Sequence, residues 1–261
     1  MGEPSNFHPI ALTSCVGKIF HQILSERITS FLVRNGYIDS ELQKAFINKI
    51  SGCQDHNLVL GEIINHAKGK KRTLHITWFD LEDAFGSVSH DLIPICLSRM
   101  NLPQNVQDYI VSLYASLRGK IRTSDWISEE FPFAKGVFQG DPLSPIIFLM
   151  CFNPVLQDLK KFEESSGYLL ENKPFITLPF ADDFNLITRD VRKHRRLMTW
   201  LQDLTSPMGL RLKPRKCKSL SIKAGKSTEI EFFLGDALGR SCMTRITSFL
   251  AAFTHLPAPP R

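Results

Sequence analysis

Three aspartates stand where a carboxylate could take part in chemistry. Asp80 ends an alternating apolar segment, 73–80, that predicts a β-strand. Asp182 and Asp183 separate two short apolar runs, which predict a hairpin with both acids at its tip. Carboxylates at the ends of buried strands are costly unless a positive charge meets them. Two such strands at one edge of a sheet therefore predict a site for Mg²⁺, and a pair of such ions can assist in-line phosphoryl transfer.

An Asp-Asp pair on its own is more simply explained as a polar turn stabilised by its own hydrogen bonds. The segment 136–145 (GVFQGDPLSP) lies between the two acidic strands and favours the catalytic interpretation. Its two glycines allow the backbone to approach a ligand closely, and the Gln139 amide could hydrogen-bond a base edge or a sugar. By itself, this segment would be a glycine turn that leads into a helix.

Four segments in this order resemble the motifs of reverse transcriptases, most nearly those of non-long-terminal-repeat (LINE-type) retrotransposons. They are 80–85 (DLEDAF), 136–145 (GVFQGDPLSP), 180–183 (FADD) and 209–216 (GLRLKPRK). Two further segments, 8–12 and 43–46, resemble fingers motifs of the same group, so the similarity extends over residues 7 to 235.

The resemblance implies an α+β right-hand polymerase fold with an antiparallel palm sheet backed by helices. It places the fingers at residues 1–72 and 118–135 and the palm at 73–117 and 136–236. Residues 237–261 then form a divergent tail with no recognisable thumb, so we expect a domain truncated after the palm.

The resemblance also implies catalytic and metal-binding roles. Asp80, Asp182 and Asp183 would hold two Mg²⁺ ions, or Mn²⁺ in their place, and the backbone carbonyl of Leu81 would be a further ligand. Lys216 would protonate the pyrophosphate leaving group. Without the resemblance, Lys216 would be one more member of a basic cluster.

Three residues match the family's nucleotide contacts. Phe85 would be a steric gate, whose ring leaves no room for a ribose 2′-hydroxyl, and Gln139 and Gly140 would contact the incoming nucleotide and the template. A core aromatic is the alternative for Phe85, which could also fill both roles. The sequence departs from the family at Phe180, where Tyr is usual, and at Gly86, where an acid is frequent.

Positive charge is concentrated in one part of the chain. The net charge is +6, yet residues 189–226 alone contain twelve Lys or Arg against two Asp. We expect Arg192, Lys193, Arg195 and Arg196 to contact nucleic acid, because clustered cations follow phosphates. The alternative is a solvated helix face.

The function implied is RNA-directed DNA polymerase, a nucleotidyltransferase that adds dNTPs to a DNA primer on an RNA template. A catalytically inactive relic that at most binds nucleic acid is the alternative. An RNA-dependent RNA polymerase shares the paired acids, but Phe85 argues against it because such an enzyme must admit the 2′-hydroxyl. A group II intron maturase is a nearer relative, marked by a helical domain downstream of the polymerase.

Composition excludes several other classes. Of the 261 residues 43% are hydrophobic and 22% charged, which excludes a disordered chain. The longest apolar run, 146–152, is too short to cross a bilayer, and the N-terminus has no secretory pattern. We therefore expect an intracellular protein of the nucleus or cytoplasm with no membrane partner. The six cysteines include no C-x-x-C pair, which argues against a zinc site and a disulfide framework.

Hydrophobic periodicity predicts the elements that must position these residues. Helices are predicted at 14–35, near 58–69, at 89–100, 106–117 and 192–204, and at 143–159 with Asp141 as the N-cap. Strands are predicted at 73–80 and 218–224 and on either side of the Asp182-Asp183 pair, with a hairpin or irregular strands over 118–133.

Overall fold

The computed structural model describes residues 10–47, 52–236, 239–242 and 244–245. The helices are α1 Cys15–Arg34, α2 Gly52–Gly69, α3 Ala84–Ser87, α4 Leu92–Arg99, α5 Gln104–Ala115, α6 Ser144–Lys160, α7 Glu163–Ser166 and α8 Val191–Thr205. The strands are β1 Leu74–Phe79, β2 Arg118–Gly119, β3 Phe131–Pro132, β4 Tyr168–Leu170, β5 Lys173–Phe175, β6 Phe184–Thr188, β7 Lys218–Lys223, β8 Lys226–Thr228, β9 Phe233–Asp236, β10 Gly239–Cys242 and β11 Thr244–Arg245.

The chain divides into two compact units. Unit 1 consists of the described residues within 1–39, 83–154 and 208–210. Unit 2 consists of the described residues within 40–82, 155–207 and 211–261. The mixture of helices with a largely antiparallel sheet confirms the predicted α+β class. The predicted tail, 237–261, lies outside the described residues except for the short strands β10 and β11, and so do the first two residues of the 8–12 segment.

The main sheet belongs to unit 2 and has β1 at its centre. β1 pairs antiparallel with β6 and with β7, so Phe79 lies opposite Phe184 and Leu74 opposite Ile222. β8 extends β7 as an antiparallel neighbour, whereas β11 joins the other strands through a parallel pairing with β7. Because β1 and β6 run in opposite directions, the end of β1 and the start of β6 meet at one edge.

Helix α2 supplies the apolar side chains that cover this sheet within unit 2. Leu60, Ile63 and Ala67 recur at helical spacing and join the buried cluster that contains Leu74 and Ile76 of β1. The alternation of the sequence predicted that Leu74 and Ile76 share one face of β1, and both lie in this cluster. The intervening residues of β1 are buried as well, so the strand is covered on both faces.

Helix α8 buries a histidine against the sheet. The His194 ring lies between two threonine hydroxyls, 2.8 Å from Thr77 Oγ1 and 2.9 Å from Thr188 Oγ1. His75 Nδ1 lies 2.9 Å from Ser221 Oγ. Burial lowers the pKa of His75 to about 4 and the pKa of His194 well below its ordinary value, so both rings are neutral in the fold.

These histidines predict a loss of stability in acid. The unfolded chain takes up protons near pH 6.5 whereas the folded chain does not until about pH 4, so the free energy of unfolding falls as the pH drops through this window. Each histidine contributes about 1 kcal/mol per pH unit. Urea unfolding at pH 7.5, 6 and 5 measures the slope, which His75→Gln is expected to reduce. Equal slopes in the wild type and in His75→Gln would contradict the assignment.

Unit 1 contains α1, α3, α4, α5 and the first part of α6, and two of its predicted helices begin later than expected. Helix α4 begins at Leu92, so Pro94 falls in the first turn, where its missing N–H does no harm. The prediction that Asp141 is the N-cap of α6 is wrong, because the helix begins at Ser144. Asp141 instead accepts a hydrogen bond from the Leu143 N–H, which closes a turn before the helix.

No helix among the described residues is long and apolar enough to span a membrane.

Candidate active site

The sheet edge in unit 2 brings two of the predicted carboxylates side by side. Asp80 follows β1 and Asp183 precedes β6, and the intervening Phe79–Phe184 pair has stacked rings with centroids 4.8 Å apart. Each aspartate is thus one residue from a paired position on adjacent strands. The sequence predicted this juxtaposition from the two apolar segments alone.

A tight turn places Asp182 beside them. The Phe180 N–H donates to the Asp183 carbonyl over 2.7 Å, and the Asp183 N–H donates to the Phe180 carbonyl over 3.1 Å. Ala181 therefore takes a left-handed conformation, with φ at +57°. The predicted turn is confirmed, but the segment before Phe180 is not a regular strand.

A side chain replaces one of the backbone hydrogen bonds that a second strand would have made, although the Ile187 N–H still donates to the Ile176 carbonyl over 2.7 Å. Asn185 Oδ1 accepts a hydrogen bond from the Leu178 N–H over 2.9 Å. Asn185 is buried, and its amide thereby satisfies a backbone donor next to the hairpin. The irregular arm consequently reaches the turn without a ladder of its own.

The charges of the three aspartates are uncompensated in this arrangement. Burial raises the pKa of Asp182, a hydrogen bond from its own backbone N–H partly opposes this, and the nearby Asp183 and Asp80 raise the pKa further. Burial and the charge of Asp80 raise the pKa of Asp183. Within the described part of the chain, no basic side chain forms an ion pair with any of these carboxylates. This edge of the sheet therefore concentrates negative charge.

The donor chemistry fits a hard divalent cation, because carboxylate and carbonyl oxygens are the ligands that Mg²⁺ prefers. The described residues contain no group of three or more His, Cys, Asp or Glu side chains that is already arranged to hold a metal ion. The carboxylates thus share one sheet edge and influence one another's pKa values, without standing in a finished coordination shell.

The segment after Asp80 pairs with the chain that carries Lys216. The Glu82 N–H donates to the Arg211 carbonyl over 2.7 Å, and the Lys213 N–H donates to the Asp80 carbonyl over 2.8 Å. These two hydrogen bonds flank Leu81 and Leu212, which lie opposite each other without a hydrogen bond between them. The Leu81 carbonyl therefore points away from Leu212.

Lys216 lies at the end of the turn that begins at Lys213, and its side chain is exposed. Its N–H donates to the Lys213 carbonyl over 2.9 Å. The next residue, Cys217, accepts a hydrogen bond from the Asp80 N–H at its Sγ atom over 3.5 Å. Lys216 is therefore anchored to the same sheet edge as the aspartates.

Residues 2–236 match the family described as "Reverse transcriptase (RNA-dependent DNA polymerase)". The chain belongs to this family. Two similar proteins are Pol polyproteins of the retrotransposable element R2, which confirm the resemblance to the non-long-terminal-repeat type. The Nasonia vitripennis protein is 30% identical over 88% of this chain, and the Drosophila melanogaster protein is 29% identical over 90%. This chain spans 22% of the length of each.

A solved structure with the same fold is the telomerase of Candida tropicalis in complex with a fragment of telomeric RNA. It matches 82% of this chain and 36% of its own with a TM-score of 0.58, at 17% sequence identity. The telomerase of Candida albicans matches 83% of this chain with a TM-score of 0.55, at 15% identity. The right-hand polymerase fold predicted for the reverse transcriptase is thereby confirmed; the fingers and palm boundaries stay a prediction.

The nucleotide contacts predicted for the reverse transcriptase lie in unit 1. Phe85 stacks on Phe148 with centroids 4.7 Å apart and 15° between the ring planes, so it is a packed aromatic as the alternative proposed. Its carbonyl accepts a hydrogen bond from the Val137 N–H over 2.8 Å. The Gly136 N–H donates to the Val88 carbonyl over 2.7 Å. Segment 136–137 therefore fixes the backbone that carries Phe85.

Two glycines allow segment 136–137 to lie close to the backbone that carries Phe85. Gly136 has φ at +92°, and a Cβ there would lie 2.8 Å from the Gly86 carbonyl oxygen. A Cβ at Gly86 would overlap the Asp83 carboxylate. A side chain at position 86, where the family frequently has an acid, would therefore require the Asp83 carboxylate to move.

Gly136→Ala is expected to cost about 2–4 kcal/mol of folding free energy, because left-handed strain adds to the close backbone contact. Gly36→Ala is the matched control: Gly36 also has positive φ, at +71°, but its Cβ would meet nothing within 4 Å. We expect about 1 kcal/mol there, from the strain alone. Urea denaturation of both variants measures the difference. Equal losses would exclude a role for the Gly86 contact.

Gln139 and Gly140 lie in a turn that the N-terminal part of unit 1 holds. The Ala11 N–H donates to the Gln139 carbonyl over 2.8 Å. Gly140 has φ at +103°, and a Cβ there would lie 3.1 Å from the Ala11 carbonyl oxygen. The backbone of the predicted nucleotide-contact residues is thus fixed by main-chain contacts.

A polar network next to this turn, buried at His21 and Asp141 and exposed at Tyr109, was not predicted. His21 Nδ1 lies 2.6 Å from Asp141 Oδ2, and His21 Nε2 lies 2.7 Å from the Tyr109 hydroxyl. Burial and then the charge of Asp141 raise the pKa of Tyr109. His21 and Tyr109 belong to the amphipathic patterns of α1 and α5, so the sequence offered no signal that distinguishes them from ordinary helix residues.

The predicted nucleic-acid contacts of α8 are exposed, but two of the four are already engaged. The Lys193 ammonium donates to the Ser165 carbonyl, and the Arg195 guanidinium donates to the Glu231 carbonyl over 3.3 Å. Arg192 and Arg196 are exposed on the same helix. The basic surface of the reverse transcriptase is thus partly held by its own main chain.

Proposed function

We propose that this chain catalyses RNA-directed DNA synthesis, adding dNTPs to the 3′-hydroxyl of a primer on an RNA template. The observation that carries this proposal is the convergence of Asp80, Asp182 and Asp183, without compensating charge, at one edge of the sheet in a chain of the reverse transcriptase family. Carboxylates so placed suit phosphoryl transfer to a polyanionic substrate.

The three aspartates, with the Leu81 carbonyl, would hold two divalent cations, Mg²⁺ or Mn²⁺. Bound there, these ions would stabilise the charge that develops on the attacking and leaving oxygens. The uncompensated negative charge of Asp182 and Asp183 supports this assignment, because a cation would relieve the repulsion that raises their pKa values.

The remaining groups would bind and orient the substrates. Lys216, exposed and anchored near Asp80, would donate a proton to the departing pyrophosphate oxygen. Phe85 would exclude the 2′-hydroxyl of a ribonucleotide, and the turn at Gln139 and Gly140 would contact the nucleotide and the template. Rigid support of both segments by backbone hydrogen bonds suits this positioning role.

Helix α8 would follow the phosphates of template and primer. Arg192 and Arg196 are the exposed cations best suited to this role, and Lys193 and Arg195 would add to the positive potential from their tethered positions. Such contacts are sequence-independent and weaken with salt.

Primer extension tests the proposal directly. The 261-residue chain is incubated with an oligo(dT)-primed RNA template and dNTPs, with Mg²⁺, with Mn²⁺ and with a chelator. We expect extension with either cation and none with the chelator. Folded protein that binds the primed template but never extends it, at low salt and in Mn²⁺, would replace the proposal with the inactive nucleic-acid-binding alternative.

A further inference from the structure

The side chain of Gln43 makes a two-point contact with the turn that carries Asp182. Its Oε1 accepts a hydrogen bond from the Ala181 N–H over 3.0 Å, and its Nε2 donates to the Ala181 carbonyl over 3.3 Å. The same Oε1 accepts a second hydrogen bond, from the Ala45 N–H, over 3.0 Å. All three residues belong to unit 2 and are buried.

The turn needs such a contact for two reasons. Ala181 is left-handed, a conformation that a residue with a Cβ adopts only at a cost, and it is buried, so its N–H and C=O must find partners. The hydrogen bonds between Phe180 and Asp183 leave both groups of Ala181 unpaired within the turn. The Gln43 amide satisfies both.

Electrostatics act in the opposite direction. Asp80, Asp182 and Asp183 lie at one sheet edge with no ion-pair partner among the described residues, so their negative charges repel one another. A turn held only by its own two hydrogen bonds could change its backbone conformation and so relieve that repulsion. Gln43 opposes relaxation, because it fixes the residue immediately before Asp182 from a neighbouring segment.

The Gln43 side chain is itself well fixed. It is 2% exposed, and each of its amide atoms has a partner in the main chain. A carboxamide is also the side chain that suits this place, since it offers one acceptor and one donor in a plane. Methionine would match its length without either group, and glutamate would keep the acceptor but, when ionised, not the donor.

We propose that Gln43 is a positioning residue for the polymerase reaction, which holds the Ala181–Asp182 turn in the conformation that presents Asp182 to the reacting phosphate. This inference rests on the proposed function. Gln43 acts through Ala181 and does not contact substrate, so its loss should lower kcat rather than raise the KM for dNTP.

Gln43→Met and Gln43→Glu separate the two hydrogen bonds. Hydrogen exchange at the Ala181 amide, followed on peptides that cover 176–184, is expected to speed up at least tenfold in Gln43→Met, because the N–H loses its acceptor. In Gln43→Glu the amide should stay protected, since an oxygen still accepts from it. The glutamate variant keeps two of three bonds, so it tests the proposal even where the methionine variant fails to fold.

Both variants are expected to lower kcat for single-nucleotide addition by ten- to a hundredfold at unchanged KM, as small misplacements of reacting groups do. Mn²⁺ affinity, measured by electron paramagnetic resonance without substrate, should weaken about tenfold in Gln43→Met, because the ligands are less well ordered. Asn153→Leu is the control: the buried Asn153 side chain also donates, through Nδ2, to a main-chain carbonyl, that of Tyr37, over 2.9 Å, but in unit 1. It should lose stability while keeping kcat and Mn²⁺ affinity.

The outcomes distinguish this inference from the proposed function. Wild-type chain that fails to extend a primer contradicts the proposed function, whereas faster exchange at Ala181 with weaker Mn²⁺ binding in Gln43→Met would still support the structural part of the inference, that Gln43 holds the Ala181–Asp182 turn in place. Wild-type extension with unchanged kcat and Mn²⁺ affinity in Gln43→Met, or in Gln43→Glu at a pH at which the glutamate is ionised, overturns the positioning role. A loss of kcat equal to that of Asn153→Leu also overturns it, since that loss reflects general destabilisation.

Discussion

Asp182→Asn is expected to yield a protein that is more stable than the wild type and does not extend a primer. Burial and the charges of Asp183 and Asp80 raise the pKa of Asp182, so its ionised form opposes folding and a neutral amide removes that cost. The gain should be largest at neutral pH. It should vanish as the pH falls and the wild-type carboxyl becomes protonated, since a group whose pKa is raised in the fold loses stability as pH rises.

Activity should change in the opposite direction, by about a thousandfold or more, because the lost ligand supplies several kcal/mol of charge stabilisation and each tenfold costs about 1.4 kcal/mol. Asp203→Asn, at an exposed position of α8, is the matched control and should change neither property. Thermal unfolding at pH 7.5 and 5 and primer extension measure both effects. Normal polymerisation by Asp182→Asn would exclude this carboxylate from the reaction, and a lower melting temperature would contradict the electrostatic argument.

The sequence sufficed to predict the site where local pattern and chemistry coincide. The alternation before Asp80 and the apolar run after Asp183 predict β1 and β6, and the antiparallel pairing of these strands brings both acids to one edge. The helices α1, α5 and α8 also lie within two residues of where their periodicity placed them, and α2 ends as predicted but begins earlier, at Gly52. These features depend on residues close together in the chain, which is why one sequence reveals them.

Contacts between distant segments could not be predicted in the same way. Gln43 and Ala181 are 138 positions apart, and His21 and Asp141 are 120 apart. In each case a side chain satisfies a main-chain or polar group that no local pattern identifies. The start of α6 was wrong for this reason: Asp141 is a good N-cap residue, but its carboxylate binds His21 and closes an earlier turn.

Phe85→Ala is expected to let the enzyme accept ribonucleotides. If the ring occupies the space that a 2′-hydroxyl would need, removing it should raise the rNTP/dNTP ratio of kcat/KM by about a hundredfold, which corresponds to about 2.7 kcal/mol of discrimination. The stacking of Phe85 on Phe148 and its main-chain bond to Val137 hold the ring in one place, as a steric filter requires. Single-nucleotide addition with dTTP and UTP on a poly(rA) template measures the ratio.

The same packing means that Phe85→Ala also costs stability, about 3 kcal/mol for a buried aromatic and less at this half-buried position. The ratio is insensitive to that loss, because both nucleotides are tested on the same folded fraction. Phe85→Leu separates the two effects, since it keeps most of the bulk and packing but not the flat ring. We expect it to retain most of the discrimination. Equal ratios in wild type and Phe85→Ala would leave Phe85 a core aromatic and move sugar selection to another residue.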